Sequence, residues 1–456
     1  MQRRGAAALG LVVLLAGGAV PAAAQTGGGA TCAGIAVTIH FDDPGVGLTI
    51  TGTGGPDVIQ GGPQREIINA GGGADVVCGG DGDDDIDGGT GTDQLLGQEG
   101  SDDFKGPDLG LDLITGGSRE LDRADYRYLA TGVEVNLGTG VVHAVGAGVN
   151  GRIVGVEIVE GTSFTDKLVG GQGSDTLSGR GGTDEVDGRG GSDNLGGGAG
   201  IDRVTYISST AAIVVRAGMD TVISGAAGDT IDGFEALVGT RFDDRIVGTD
   251  VQNQLFGAGG DDVIKGRGGD DLLDGGEGDD VFHPGPGDDI VLGGNNSPVT
   301  SSGAHGDLVS YQGDTISRDD GIRVLDVYLY TSQIGNPPGS LGVGEDVFTG
   351  VESVRGVKNG QNHFQGNDGP NVLIGGDGQD YLEGRGGNDL VYGLSGVDLV
   401  WGDYAAGVSP GIFGDDYLDA GAPTGDNDGD SNFGGGGDDT CTGAKPAFSE
   451  DCETSF

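Results

Sequence analysis

A nine-residue period constrains this chain more than any other feature. The segments GGDGDDDID at 79 to 87, GGTGTDQLL at 88 to 96 and GQEGSDDFK at 97 to 105 follow one another without a gap, and the same frame extends back to residue 52. A second run fills 161 to 205, a third fills 239 to 292, and a more broken fourth covers 366 to 401 with further copies at 411 to 419 and 434 to 442. Position six is Asp or Glu in 21 of these 23 nonads, the exceptions being Asn253 and Asn371, and position eight is apolar throughout, with Cys441 the weakest case. Two columns in strict register exclude a disordered acidic tail, which has no reason to keep them.

The pattern has a physical reading. Glycines at positions one, two and four permit positive φ in a tight turn, which the position-six carboxylate leaves facing a neighbour. Residues seven to nine form a short strand in which side chains alternate, so only the residue at eight points inward. Two nonads make one flattened coil, and coils stack at roughly 4.8 Å, giving a thin apolar ladder. The 103 glycines and 35% hydrophobic content leave too little apolar volume for a thick core. Stacking brings like-charged side chains of successive turns together at about 0.8 kcal/mol per pair in water, and more at lower dielectric. A counter-cation is therefore expected. Calcium suits the turns because it takes oxygen ligands, backbone carbonyls included, with tolerant geometry. Zinc would want His or Cys, which the turns lack, and the five histidines (His40, His143, His283, His305, His363) lack ligand spacing and read as surface or loop residues.

The formal charge of -49 disfavours nucleic acid and anionic membranes as partners. Arg3 and Arg4 precede an apolar run from Ala6 to Val20 and the small residues 21 to 24, which reads as a signal peptide cleaved after Ala24. No other segment is long and apolar enough to span a bilayer, so a secreted, extracellular or cell-surface chain is expected. Four cysteines in an exported chain imply two disulfides, and of the three connectivities the local one, Cys32 with Cys78 and Cys441 with Cys452, is the simplest.

The nonads match G-G-x-G-x-D-x-U-x, and the chain resembles the hemolysin-type calcium-binding, or RTX, repeat family. The resemblance implies an all-β fold, a right-handed parallel β-roll with two nonapeptides per coil, binding multiple Ca²⁺ through position-six aspartates and turn carbonyls between turns i and i+2. Carried over residue by residue, it implicates Asp75, Asp84, Asp93, Asp102, Asp166, Asp175, Asp184, Asp193, Asp202, Asp244, Asp262, Asp271, Asp280, Asp289, Asp380, Asp389 and Asp398. Sites are doubtful at the degenerate nonads holding Gln64, Glu66, Asn253 and Asn371. The opening CAGIAVTI and the closing GGDDTCTG and EDC are similar to ends of secreted bacterial members, which favours the local disulfide pairing.

The expected organisation is a signal peptide at 1 to 24, an N-terminal cap at 25 to 51, and repeat blocks at 52 to 116, 161 to 205, 239 to 302 and 359 to 442. Spacers occupy 117 to 160, 206 to 238 and 303 to 358, and a disulfide-linked tail 443 to 456. The spacers recur: DRADY at 122, DRVTY at 202 and DLVSY at 307 each open a stretch that ends in a Val/Phe-Glu step before the next block. They resemble spacers between RTX blocks and are expected to add short strands packed on the roll, as connectors without a binding role. The loop DNDGD at 426 to 430 reads either as another calcium loop or as a solvated connector.

No H-E-x-x-H or phosphate-loop motif is present, the loose G-x-G-x-x-G matches lack a strand-to-helix context, and the repeat itself explains the paired carboxylates. The sequence thus predicts a non-enzymatic extracellular protein that folds as its repeats bind calcium. The alternative is a calcium-stiffened structural or adhesive surface protein with a cell-surface or matrix partner.

Overall fold

The computed structural model describes residues 31–40, 49–106, 112–117, 121–144, 151–216, 221–222, 228–295, 306–311, 317–318, 324–329, 340–341, 347–358, 360–403, 416–420, 431–433, 440–442, 449–450 and 454–455. The expected signal peptide and the DNDGD loop lie outside them. Among the described residues the regular structure is β, apart from one residue in a 3₁₀ turn, and no helix is long and apolar enough to cross a membrane. The chain divides into two compact units, Met1–Thr205 with Ala226–Phe234, and Tyr206–Gly225 with Glu235–Phe456.

Within the nonad runs of the first unit the sheets are ladders of parallel rungs offset by one two-nonad coil. Val76 pairs with Gln94, and Ile67 with Asp85, 18 residues on in both cases. One ladder runs through Thr49–Thr53, Ile67–Gly73, Asp85–Asp87, Asp103–Lys105, Arg123–Asp125, Ile158–Glu160, Thr176–Gly182 and Asn194–Gly200 to Thr230–Asp232. The second unit repeats this architecture; one of its ladders passes through Val263–Lys265, Val281–His283, Leu308–Ser310, Ser353–Arg355 and Val372–Gly376. This is a parallel β-solenoid, the β-roll that the repeat demands.

The core is the position-eight column. Ile59, Ile68, Val77, Ile86, Leu95 and Phe104 are fully buried, as are Ile264, Leu273, Phe282 and Val291 in the second unit, while positions seven and nine are partly exposed in most rungs, Cys78, Val169 and Glu383 being buried exceptions. One apolar side chain per rung yields a core one residue thick, so stability grows with each stacked coil and every coil depends on its neighbours.

The spacers differ from expectation. Instead of packing on the roll they supply its rungs. Val133–Asn136 and Val141–Ala144 form an antiparallel hairpin whose first strand lies parallel to Lys167–Val169, the first rung of the next block. Val214–Arg216 and Thr221–Val222 repeat this below Arg245–Val247. The recurrent tyrosines Tyr126, Tyr206 and Tyr311 are buried where each spacer opens, continuing the apolar core where the nonad frame stops. At the N-terminus Thr38 donates through N and Oγ1 to the Val58 carbonyl, and Cys32 is bonded to Cys78 with Cα atoms 5.8 Å apart. Cys441 is also disulfide-bonded, and Cys452 lies outside the described residues. His143, His283 and His363 lie part-buried in strands, a correction to their reading as surface or loop residues; His40 also falls in a strand, and His305 is outside the described residues.

Candidate calcium sites

The turns bring the position-six carboxylates into continuous buried rows. All seventeen aspartates singled out above are at most 6% exposed. The geometry repeats from coil to coil. From the third nonad of each block onward, Oδ1 of the aspartate accepts the backbone N–H of the position-six residue one coil below, as from Asp84 to Asp102 (2.9 Å), Asp184 to Asp202 (2.8 Å) and Asp262 to Asp280 (2.8 Å). The lower residue's carbonyl accepts the N–H that follows the upper aspartate, as from Asp103 to Asp84 and Val281 to Asp262 at 2.8 Å. Each carboxylate is thereby fixed in direction.

The second oxygen divides the turns into two classes. In the opening coil of every block it accepts the position-two N–H of its own turn. Thr53 donates to Asp57 (2.6 Å), Gly62 to Glu66 (3.0 Å), Thr162 to Asp166 (2.5 Å) and Gly171 to Asp175 (2.6 Å). Thr240 donates to Asp244 (2.5 Å), Thr249 to Asn253 (2.6 Å), Asn367 to Asn371 (2.8 Å) and Gly376 to Asp380 (2.6 Å). The threonine hydroxyls of Thr53, Thr162 and Thr240 add a second bond to the carboxylate. None of these position-two residues has positive φ.

In later coils position two flips. It takes positive φ even where it is not glycine, at Gln98 (87°), Arg180 (73°), Arg189 (64°), Ala258 (81°), Arg267 (85°), Arg385 (83°) and Leu394 (77°). Left-handed backbone at such residues is strained and needs compensation from its surroundings. The buried Oδ2 atoms of Asp75, Asp84, Asp184, Asp193, Asp262, Asp271 and Asp280 have no hydrogen-bond partner. A buried carboxylate oxygen without a partner costs several kcal/mol unless a cation or proton meets it, on the order of 1–3 kcal/mol even for a neutral group. Burial raises these carboxyl groups well above the usual aspartate range, Asp84 and Asp262 to about 8, Asp184 and Asp271 to about 7, and Asp193 and Asp280 to about 6.

The position-one glycine makes room for that oxygen. A Cβ on Gly257 would lie 2.1 Å from Asp262 Oδ2 and 2.6 Å from the Gly275 carbonyl, and on Gly179 it would lie 2.3 Å from Asp184 Oδ2 and 2.7 Å from the Gly197 carbonyl. Where position one is glycine, it serves space rather than positive φ, which the turns reserve for positions two and four; Ala70 and Pro284 hold that position before Asp75 and Asp289. Among the described residues no three His, Cys, Asp or Glu side chains converge as a ligand cluster. A cation here would combine few carboxylates with backbone carbonyls, a donor set that fits Ca²⁺ and excludes a zinc-type side-chain cage. Lysine and arginine pair with outward acids instead, as Lys105 with Asp85 (2.5 Å), Arg123 with Asp103 (2.6 Å) and Arg180 with Glu160 (2.7 Å).

Of the sequence-derived candidates, Asp75, Asp84, Asp93, Asp102, Asp184, Asp193, Asp202, Asp262, Asp271, Asp280, Asp289, Asp389 and Asp398 stand in the later coils. Asp166, Asp175, Asp244 and Asp380 stand in opening coils, their second oxygen engaged by their own turn. Asn253 and Asn371, the two uncharged exceptions, occupy opening coils as well, where an amide carbonyl suffices. The sequence reading missed rungs supplied by the spacers. Asp112, Asp122, Asp229 and Asp307 accept the N–H groups of Asp93, Asp102, Asp193 and Asp280. Glu157 and Glu352 of the Val-Glu steps then accept those of Asp122 and Asp307, both at 3.1 Å. The retained signal is Asp-x-apolar, as in Asp229-Thr230-Ile231. The one G-x-S-x-G pentapeptide, 407 to 411, lies outside the described residues.

Comparison with curated proteins gives no match. A family model described as the RTX calcium-binding nonapeptide repeat matches residues 49–77, 78–106, 160–195, 169–204, 238–272, 256–291 and 359–403. These stretches coincide with the rows of buried carboxylates, and the chain carries multiple copies of the RTX calcium-binding nonapeptide repeat.

Proposed function

We propose that this protein is an extracellular, non-enzymatic calcium-binding protein whose repeats fold as they take up several Ca²⁺ ions. The observation that carries the reading is the coincidence, in the turns of Asp184, Asp193, Asp262 and Asp271, of a partnerless buried Oδ2, a glycine cradle and a strained position two. A cation between successive turns resolves all three together. It neutralises the stacked carboxylates, gives the orphaned oxygen a ligand role and draws in the carbonyls that the flipped turn presents. Because the unfolded chain holds no such arrangement, binding free energy becomes folding free energy.

The position-six residues from the third nonad of each block onward are the proposed ligands, and the opening coils act as ion-free caps. The bond between Cys32 and Cys78 supports an oxidising, extracellular setting, in which modules of this kind bind calcium at roughly 10⁻⁴ to 10⁻³ M. Far-ultraviolet circular dichroism of the purified chain tests the reading. Chelator is expected to collapse the β signal and millimolar calcium to restore it; a spectrum indifferent to both contradicts it.

A further inference from the structure

Asp307 lies in the segment that joins the third and fourth blocks, outside every stretch matched by the family model. In an unbroken run the carboxylate follows the first glycine by five residues, whereas Asp307 follows Gly293 by 14, one whole repeat more, so the phase is kept but the intervening copy at 293–301 has Pro298 where the carboxylate would stand. The structure nevertheless gives it each feature of a late-coil aspartate. Its Oδ1 accepts the Asp280 N–H at 2.8 Å, and the Leu308 N–H donates to the Asp280 carbonyl at 2.7 Å. Asp307 is fully buried and its Oδ2 has no hydrogen-bond partner. Gly293 supplies the cradle, since a Cβ there would lie 2.2 Å from that oxygen and 2.0 Å from the Gly350 carbonyl. Gly294 pairs with Gly276 and shares its positive φ, 107° against 102°. Val309, two residues on, fills the core column.

We infer that Asp307 completes a further calcium site, stacked on the turn of Asp280 and closing the third block. The inference rests on the reading of the rows as calcium sites. The donors are the orphaned Oδ2 atoms of Asp280 and Asp307 and the turn carbonyls around Gly293, all oxygen, so the ligand class is a hard divalent cation. Beyond Asp307 the row passes to Glu352, whose Oε2 takes the Asp307 N–H, so the site stands at the junction where repeat gives way to spacer. The intervening excess is nine residues, one whole repeat, and the carboxylate keeps its register.

The test is calcium stoichiometry of the full chain by competition with a chromophoric chelator, for the wild type, Asp307→Asn and Asp244→Asn. Asp307→Asn is expected to bind one ion fewer, and Asp244→Asn the full number. An unchanged count for Asp307→Asn overturns the inference and leaves the general reading intact; a wild type that binds no calcium overturns the general reading itself. Should Asp307→Asn fail to fold, an anomalous-scattering map of wild-type crystals grown in calcium decides. A peak at about 2.3–2.6 Å from Asp307 Oδ2 supports the site, and its absence beside a peak at Asp262 overturns it.

Discussion

The backbone N–H of Asp262 donates to Oδ1 of Asp280 at 2.8 Å, and the Oδ2 atoms of both residues are buried without a hydrogen-bond partner. One oxygen locks the rungs together and the other is left for a cation. Asp262→Ala would remove both roles, stranding the Asp244 N–H that Asp262 Oδ1 accepts at 2.6 Å. It should cost at least about 1–3 kcal/mol in millimolar calcium, read from the shift of a denaturant midpoint. Asp262→Asn keeps an acceptor and should lose chiefly the ion. A midpoint unmoved by Asp262→Ala would contradict the assignment.

Position one of the Asp262 turn should reject even a methyl group, although Ala70 occupies the same position before Asp75. Gly257→Ala would place Cβ against Asp262 Oδ2 and the Gly275 carbonyl, and an overpacking cost of about 1–3 kcal/mol is expected. Gly173→Ala meets nothing within 4 Å and lies outside the positive-φ region, so it should be nearly neutral. Thermal melts of the two variants in calcium check the contrast; equal melting temperatures would refute it.

The core makes a parallel prediction. Phe104 and Phe282 are each the single inward residue of a rung and are fully exempt from solvent. Truncation of either to alanine should cost about 3–5 kcal/mol, measured by chemical unfolding with calcium present. Because the ladder is one residue thick, the loss should reach the neighbouring coils, visible as hydrogen exchange spreading on both sides of the mutated rung.

Without calcium, acid should take the cation's place. Burial holds the carboxyl groups of Asp84, Asp262, Asp184 and Asp271 above their ordinary value of 3.8, at about 7 to about 8. A group whose folded pKa is raised stabilises the fold fully below its unfolded pKa and loses that contribution as pH rises through the folded value. The calcium-free chain should therefore be most ordered in mild acid and lose order as pH climbs from about 4 to about 8, whereas calcium affinity should rise over the same interval as protons cease to compete. Circular dichroism in chelator across that range checks the sign, and order that increases with pH would contradict it.

Much of this was legible in the sequence because the two informative columns are also the two buried ones. Ile86 and Asp84 differ by two positions in every copy, and the structure turns one into the core and the other into the row. Three things were hidden. The carboxylates Asp112, Asp122, Asp229 and Asp307 lie beyond the uninterrupted runs, the first two out of phase with the nonads before them and the last two in phase after broken copies, although backbone pairing depends only on where the chain re-enters the sheet. The opening coils look like ordinary repeats, yet Thr53, Thr162 and Thr240 sit where no repeat turn lies below, so their amides turn to their own carboxylates. Finally, the preference for glycine at position one arises from a carboxylate oxygen five residues on and a carbonyl one coil above, contacts visible only after folding.

The most direct measurement is an anomalous-scattering map of crystals grown in millimolar calcium. The account predicts peaks beside the Oδ2 atoms of Asp75, Asp84, Asp184, Asp193, Asp262, Asp271 and Asp280, and none within the opening turns of Asp57, Asp166 and Asp244. Ordered later turns holding no ion at that concentration would contradict it.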